Sequence, residues 1–146
     1  NPGLISGGER SNIVAQKCHL TMDMRLPWGC DCDRLLNEIY AHLPKSARVH
    51  PITKANASLT DPKSFLVQST CEAIHRVYGV SSSPMVQWAA SDARALRKAG
   101  FRAIEYGPGE LDGLHGLNEL VRIDQLRSAE EIYYRLINTY RERYGF

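Results

Sequence analysis

Lys17-Cys18-His19-Leu20-Thr21-Met22-Asp23-Met24-Arg25-Leu26-Pro27 alternates residue by residue, with Leu20, Met22, Met24 and Leu26 on one side and His19, Thr21, Asp23 and Arg25 on the other. A two-residue period is that of a half-buried strand, so the stretch predicts a strand with one face in the core and the other available. Pro27-Trp28-Gly29 ends it. Asp31 or Asp33 then caps a helix whose apolar residues Leu35, Leu36, Ile39, Tyr40 and Leu43 recur at helical spacing and pack back on the strand. A second strand is predicted from Ala47 to Thr53, completing strand, helix, strand, and a polar connector follows from Lys54 to Thr60.

In the second half, Asp61-Pro62 sets a capping residue before a proline at the first helical position. Phe65, Leu66, Cys71, Ile74, Val77 and Tyr78 carry a helical stripe on to Gly79. Met85 to Trp88 reads as a short buried strand, Ser91-Asp92 as the cap of a helix running to Gly100, and Phe101 to Tyr106 as another strand. After a glycine-rich loop comes a last helix, opened by a capping box of Ser128 and Glu131, with Ile132, Tyr133, Leu136, Ile137 and Tyr140 on its apolar face. Strands alternating with helices predict an α/β fold with a parallel sheet, whose ligands sit at the carboxyl ends of the strands. The boundary between two lobes is drawn at residues 1–60 and 61–146.

With 146 residues, 43% hydrophobic and 23% charged, the chain can bury a core as one ordinary domain or two small lobes. Its 18 Lys and Arg against 16 Asp and Glu are scattered, which gives no nucleic-acid surface. No apolar run reaches the length of about 18 residues that a membrane span needs. Asn1-Pro2-Gly3-Leu4 has neither the basic nor the apolar region of a signal peptide. Cys18, Cys30, Cys32 and Cys71 are read as reduced thiols of a cytoplasmic protein, since the Cys30-Asp31-Cys32 spacing suits neither a disulfide nor a zinc knuckle.

The candidate site residues are few. Gly107-Pro108-Gly109-Glu110-Leu111-Asp112-Gly113-Leu114-His115-Gly116-Leu117-Asn118-Glu119 places one histidine among glycines that allow close backbone approach, with Asn118 and Glu119 able to orient its ring. A lone loop histidine reads either as a metal ligand or as hydrogen-bonded structure. A catalytic zinc takes about three protein ligands, and His19, His42, His50 and His75 form no i, i+4 pair, so no complete metal site can be assembled from spacing. Arg25, on the same side as Asp23, is either half of a surface ion pair or a guanidinium offered to an anionic substrate. Ser91-Asp92 is either a plain cap or the edge of an anion pocket.

Five segments, in this order and spacing, are similar to the zinc-dependent aminoacylase, acetylornithine deacetylase, succinyl-diaminopimelate desuccinylase and glutamate carboxypeptidase family. They are Gly7-Gly8-Glu9-Arg10-Ser11-Asn12-Ile13-Val14, Asp23-Met24-Arg25, Ala90-Ser91-Asp92-Ala93-Arg94, Gly107-Pro108-Gly109 and His115-Gly116-Leu117-Asn118-Glu119. The resemblance implies the later part of a ferredoxin-like α/β lid that dimerises, residues 1–60, followed by the C-terminal segment of a zinc-peptidase-like α/β catalytic domain, residues 61–146. It makes His115 a zinc ligand, with one or two ions in the complete enzyme and cobalt as a possible substitute. Asn12 and Arg25 become residues that bind the substrate carboxylate, and Ala89-Ala90 a substrate-contacting loop, with Asp23, Ser91, Asp92, Asn118 and Glu119 in supporting places.

The chain departs from the family where Ala89-Ala90 replaces Gly-Thr, which removes a hydroxyl contact, and where Ala15 stands for a common proline. The family's His-x-Asp motif, bridging aspartate, Glu-Glu pair and lid histidine have no counterpart. The expectation is therefore a piece of a homodimeric amidohydrolase acting on an N-acyl amino acid or peptide next to a free carboxylate. That piece holds no catalytic residue and is inactive alone. The alternatives are a non-catalytic dimerisation module or an inactive family member.

Overall fold

In the computed structural model, which describes residues 1–87, 89–109 and 116–145, the alternating stretch forms a strand over part of its length. Its partner is a segment whose pattern predicted nothing. β1 (Pro2–Gly7) and β2 (Cys18–Met22) run antiparallel, with Ile5 opposite Leu20, Ser6 opposite His19 and Gly7 opposite Cys18. Closing the hairpin demands a glycine, because a Cβ on Gly7 would stand 2.5 Å from the Lys17 carbonyl oxygen. The chain divides into two compact units, Asn1–Ala57 and Ser58–Phe146.

The expectation that one face of β2 is core does not hold in the first unit. Leu20 is 52% and Met22 50% exposed, because two strands leave both faces of a sheet open and the following helix does not cover them. Among the described elements of this unit only β1 and β2 pack on one another. The helix, α1 (Cys32–His42), is started by Asp31, whose side chain accepts the Arg34 N–H at 2.8 Å.

The predicted strand from Ala47 to Thr53 is irregular chain instead. A strand exists only where another edge takes its backbone groups, and here side chains take their place. Tyr40 donates its hydroxyl to the Val49 carbonyl at 3.0 Å, and Lys54 pairs with Asp33. Asn56 accepts the Cys32 N–H at 2.8 Å and donates to Asp31 at 3.1 Å. These bonds clasp the connector along α1. The Arg34 N–H and then Asn56 hold the Asp31 carboxyl below its ordinary value of 3.8, and the bond to Asp33 raises Lys54.

The second unit holds α2 (Phe65–Tyr78), α3 (Ala93–Lys98) and α4 (Ile123–Tyr144). Asp61-Pro62 does not open α2: the Asp61 side chain accepts the Lys63 N–H at 2.8 Å and closes a turn, and the helix begins after Ser64. α4 starts five residues before the expected Ser128 capping box, since Ile123, Asp124, Gln125, Leu126 and Arg127 are all compatible with helix. Asp124 in its first turn suits the dipole and is clamped by Arg122 at 3.0 and 2.7 Å. The Arg122 bond lowers its pKa.

α2 and α4 run antiparallel, because Phe65 at the start of one meets Tyr140 and Tyr144 at the end of the other, with ring centroids 5.0 and 6.1 Å apart. Between these ends Val67, Ala73, Ala129 and Ile132 are buried, and Ile132 is wholly covered. Burial, then neighbouring Tyr144, raises the Tyr140 phenol.

Neither strand predicted for this unit forms among the described residues, nor does a parallel sheet; Trp88 lies outside them. Met85, Val86 and Phe101 are exposed. Ala103, expected mid-strand, has no neighbouring strand to bond. Its carbonyl accepts the Thr60 hydroxyl at 2.5 Å and Arg97 Nη1 at 2.8 Å, and its N–H reaches Thr60 Oγ1 at 3.3 Å. Arg97 also bonds Ser58 at 2.9 Å. Gly100, at φ 89°, makes the left-handed turn that lets the Phe101 N–H close α3 on Leu96 at 3.0 Å.

Three outcomes follow from this packing. Ile132→Ala should cost about 2–5 kcal/mol in urea denaturation, the range for emptying a buried aliphatic site. Thr60→Val, which strips both bonds from a buried backbone, should cost about 1–3 kcal/mol, with Thr60→Ser near wild type. The lowered Asp31 pKa means that its contribution is complete above 3.8 and lost as pH falls through its folded value. The stability advantage over Asp31→Asn in a pH-dependent circular-dichroism melt should therefore be full at neutral pH and vanish in acid.

Candidate functional site

The polar residues of the hairpin are set by its register. Asn12 occupies a turn over residues 10–13, closed by the Ile13 N–H on the Arg10 carbonyl at 3.3 Å. That turn belongs to the connection at the Gly7 and Cys18 end. Arg25 belongs to the chain leaving the opposite end, three residues past Met22. Asp23 is fixed there by two bonds to Asn1, its N–H to the Asn1 carbonyl at 2.9 Å and its carbonyl from the Asn1 nitrogen at 2.8 Å. Its carboxylate takes the Arg25 Nε proton at 2.6 Å, both side chains about half exposed. The hairpin thus brings Asp23 and Arg25 together and holds Asn12 at its other end.

In the second unit Ala89, Ala90, Ser91 and Asp92 lie exposed on the approach to α3. Asp92 occupies the capping position, but at φ −67°, ψ −19° it is already helical, and its side chain makes no capping bond. The Ser91 carbonyl accepts the Arg94 N–H at 3.3 Å. With two alanines before them, this approach offers a ligand backbone groups and methyls.

The glycine-rich loop starts from a fixed point. Tyr106, just ahead of it, receives the Tyr133 hydroxyl on its carbonyl at 2.6 Å, with the two rings edge to face at 5.8 Å. Burial, and then Tyr78 beside it, pushes the Tyr106 phenol up to about 12. Pro108 lines an open groove of about 880 Å³ with α4 residues that include Leu126, Glu130, Tyr133 and Ile137. At the loop's other end Asn118 and Glu119 are exposed in and just after a turn. His115 lies outside the described residues. Among those described, no three His, Cys, Asp or Glu side chains gather as a metal would require, so they do not by themselves fit a zinc centre.

The clasp of Asp31, Asp33, Lys54 and Asn56 is not announced by the periodicity of either segment. Its signal was an Asp-x-Asp at a helix start with a Lys-x-Asn farther on, legible only once the connector is known to return to α1. All four cysteines are free thiols. No helix among the described residues is long and apolar enough to cross a membrane.

The sequence profile of peptidase family M20/M25/M40 matches residues 2–139, and the chain belongs to that family. It is 28% identical over 129 residues to a protein of Pyrobaculum aerophilum named as a LysW-lysine/LysW-ornithine hydrolase, covering 88% of this chain and 36% of that protein. To a succinyl-diaminopimelate desuccinylase of Vesicomyosocius okutanii it is 26% identical, over 90% of this chain and 36% of the relative. To an N-acetyl-L-citrulline deacetylase of Xanthomonas campestris it is 23% identical, over 94% and 38%. The chain therefore spans little more than a third of the length of these relatives, which carry the names of amide hydrolases. No solved structure matches it.

Proposed function

We propose that the complete protein is a zinc-dependent hydrolase of an N-acyl amino acid or peptide, cleaving the amide bond next to a free carboxylate. In this reading residues 1–60 are the later part of a dimerising lid and residues 61–146 the C-terminal segment of the catalytic domain of a cytoplasmic homodimer. The observation that carries it is the family match from residue 2 to residue 139, joined to relatives named as deacetylase and desuccinylase. Arg25 anchors the substrate carboxylate as a bidentate donor, Asn12 adds an amide contact, and Ala89-Ala90 borders the substrate. His115 contributes this chain's one imidazole to the metal, zinc or cobalt in its place, which polarises a carbonyl when bound. The remaining ligands and the general base come from outside these 146 residues, so the chain alone is inactive.

A second reading, a module that only dimerises, draws on the exposed Ile5, Leu20 and Met22 of the hairpin. Metal content and kinetics of the full-length protein separate the two. His115→Ala should lower bound zinc and abolish turnover, while Arg25→Lys should raise KM about ten-fold with kcat nearly unchanged, because a point charge replaces a fork. Full zinc occupancy in His115→Ala would sink the ligand assignment, and absence of amide hydrolysis by the wild-type protein would leave the dimerising module.

A further inference from the structure

We infer that Asp23 is a positioning residue for Arg25 and commits its guanidinium to receive a carboxylate end-on, through the two terminal nitrogens. This rests on the reading of Arg25 as the carboxylate anchor. A guanidinium offers a planar anion two bidentate edges, one of Nη1 and Nη2 and one of Nε and Nη2. Asp23 Oδ2, 2.6 Å from Arg25 Nε, takes the Nε end of the second, which leaves the first as the edge with both nitrogens open to the ligand.

Asp23 is itself held. Its backbone makes both of its hydrogen bonds to Asn1, so the carboxylate projects from chain fixed at the last rung of the hairpin. The spacing of two residues brings the pair to the same side of an extended chain. An arginine that binds a ligand loses rotamer freedom, and the bond to Asp23 takes part of that loss in advance.

The same carboxylate opposes an anionic substrate by charge. Because the two side chains are 49% and 57% exposed, water and salt screen both the pairing and the repulsion. Positioning and repulsion have opposite signs in an experiment: removing Asp23 weakens carboxylate binding if orientation dominates and tightens it if Asp23 is only a counter-ion.

The test measures kcat and KM of the full-length enzyme for an N-acyl amino acid and for its carboxamide, in which a neutral amide replaces the carboxylate. Asp23→Ala should raise KM for the acid about five-fold, the ceiling that screening sets on an exposed pair, with kcat and Tm unchanged. Asp23→Asn, whose amide oxygen still accepts the Nε proton, should stay within about two-fold, and the carboxamide should respond to neither variant. A KM for the acid that falls or stays constant in Asp23→Ala, while Arg25→Ala raises it, overturns the positioning role and keeps the anchor. Equal KM changes for acid and carboxamide, or a lowered Tm, make Asp23 merely structural and also overturn it. An unchanged KM in Arg25→Ala removes the anchor and the proposal with it.

Discussion

The packing of α2 on α4 around Ile132 is the interaction on which the second unit depends. Ile132 is the one large side chain wholly buried among the described residues, and four of the other buried apolar residues, Ala73, Ala93, Ala103 and Ala129, are alanines. Hydrophobic stabilisation scales with apolar area removed from water, roughly 25 cal/mol per Å², so alanines contribute closeness more than energy. The helix pair is completed by aromatic rings, Phe65, Tyr140 and Tyr144 where α2 begins, and a second pair, Tyr106 on Tyr133, joins the middle of α4 to the segment before the glycine-rich loop. Arg143 lies 4.0 Å over the Phe65 ring and adds a cation–π contact where α2 begins.

Away from that pair, polar fasteners do what a sheet would otherwise do. Thr60 and Arg97 satisfy Ala103, and Arg97 on Ser58 ties the segment entering the unit to α3. Asp31, Asn56 and Tyr40 tie the segment leaving the first unit to α1. Each of these bonds satisfies a backbone or side-chain group at a cost in ordering that a ladder would spread over many residues. The result is segments that run where strands were expected without becoming strands.

The site residues follow the same division. Those among the described residues lie on turns and element ends, where loops carried by a scaffold commonly hold ligands. The order of five short motifs made the family legible, and the match over residues 2–139 agrees with it. The pairing of Asp23 with Arg25 was also legible, because a separation of two residues in an extended chain has a single geometric consequence. The separation of Asn12 from Arg25 was not, since it follows from which segment pairs with β2, and Pro2–Gly7 showed no alternation to announce itself.

Local chemistry was therefore settled by the sequence alone: the helix over Cys32–His42 from its Asp31 cap and stripe, the helix over Phe65–Tyr78, the extended habit of Cys18–Met22, and the motif order that defines the family. Those features depend on residues within a turn or two of one another. Only the tertiary structure decided whether an extended segment had an edge to join. Val49 and Ala103 found side chains instead, and Leu20 and Met22 found no covering layer. Periodicity reports the preference of a segment, whereas a strand and a buried face are relations between two segments, and the second member of each relation is not written in the pattern of the first.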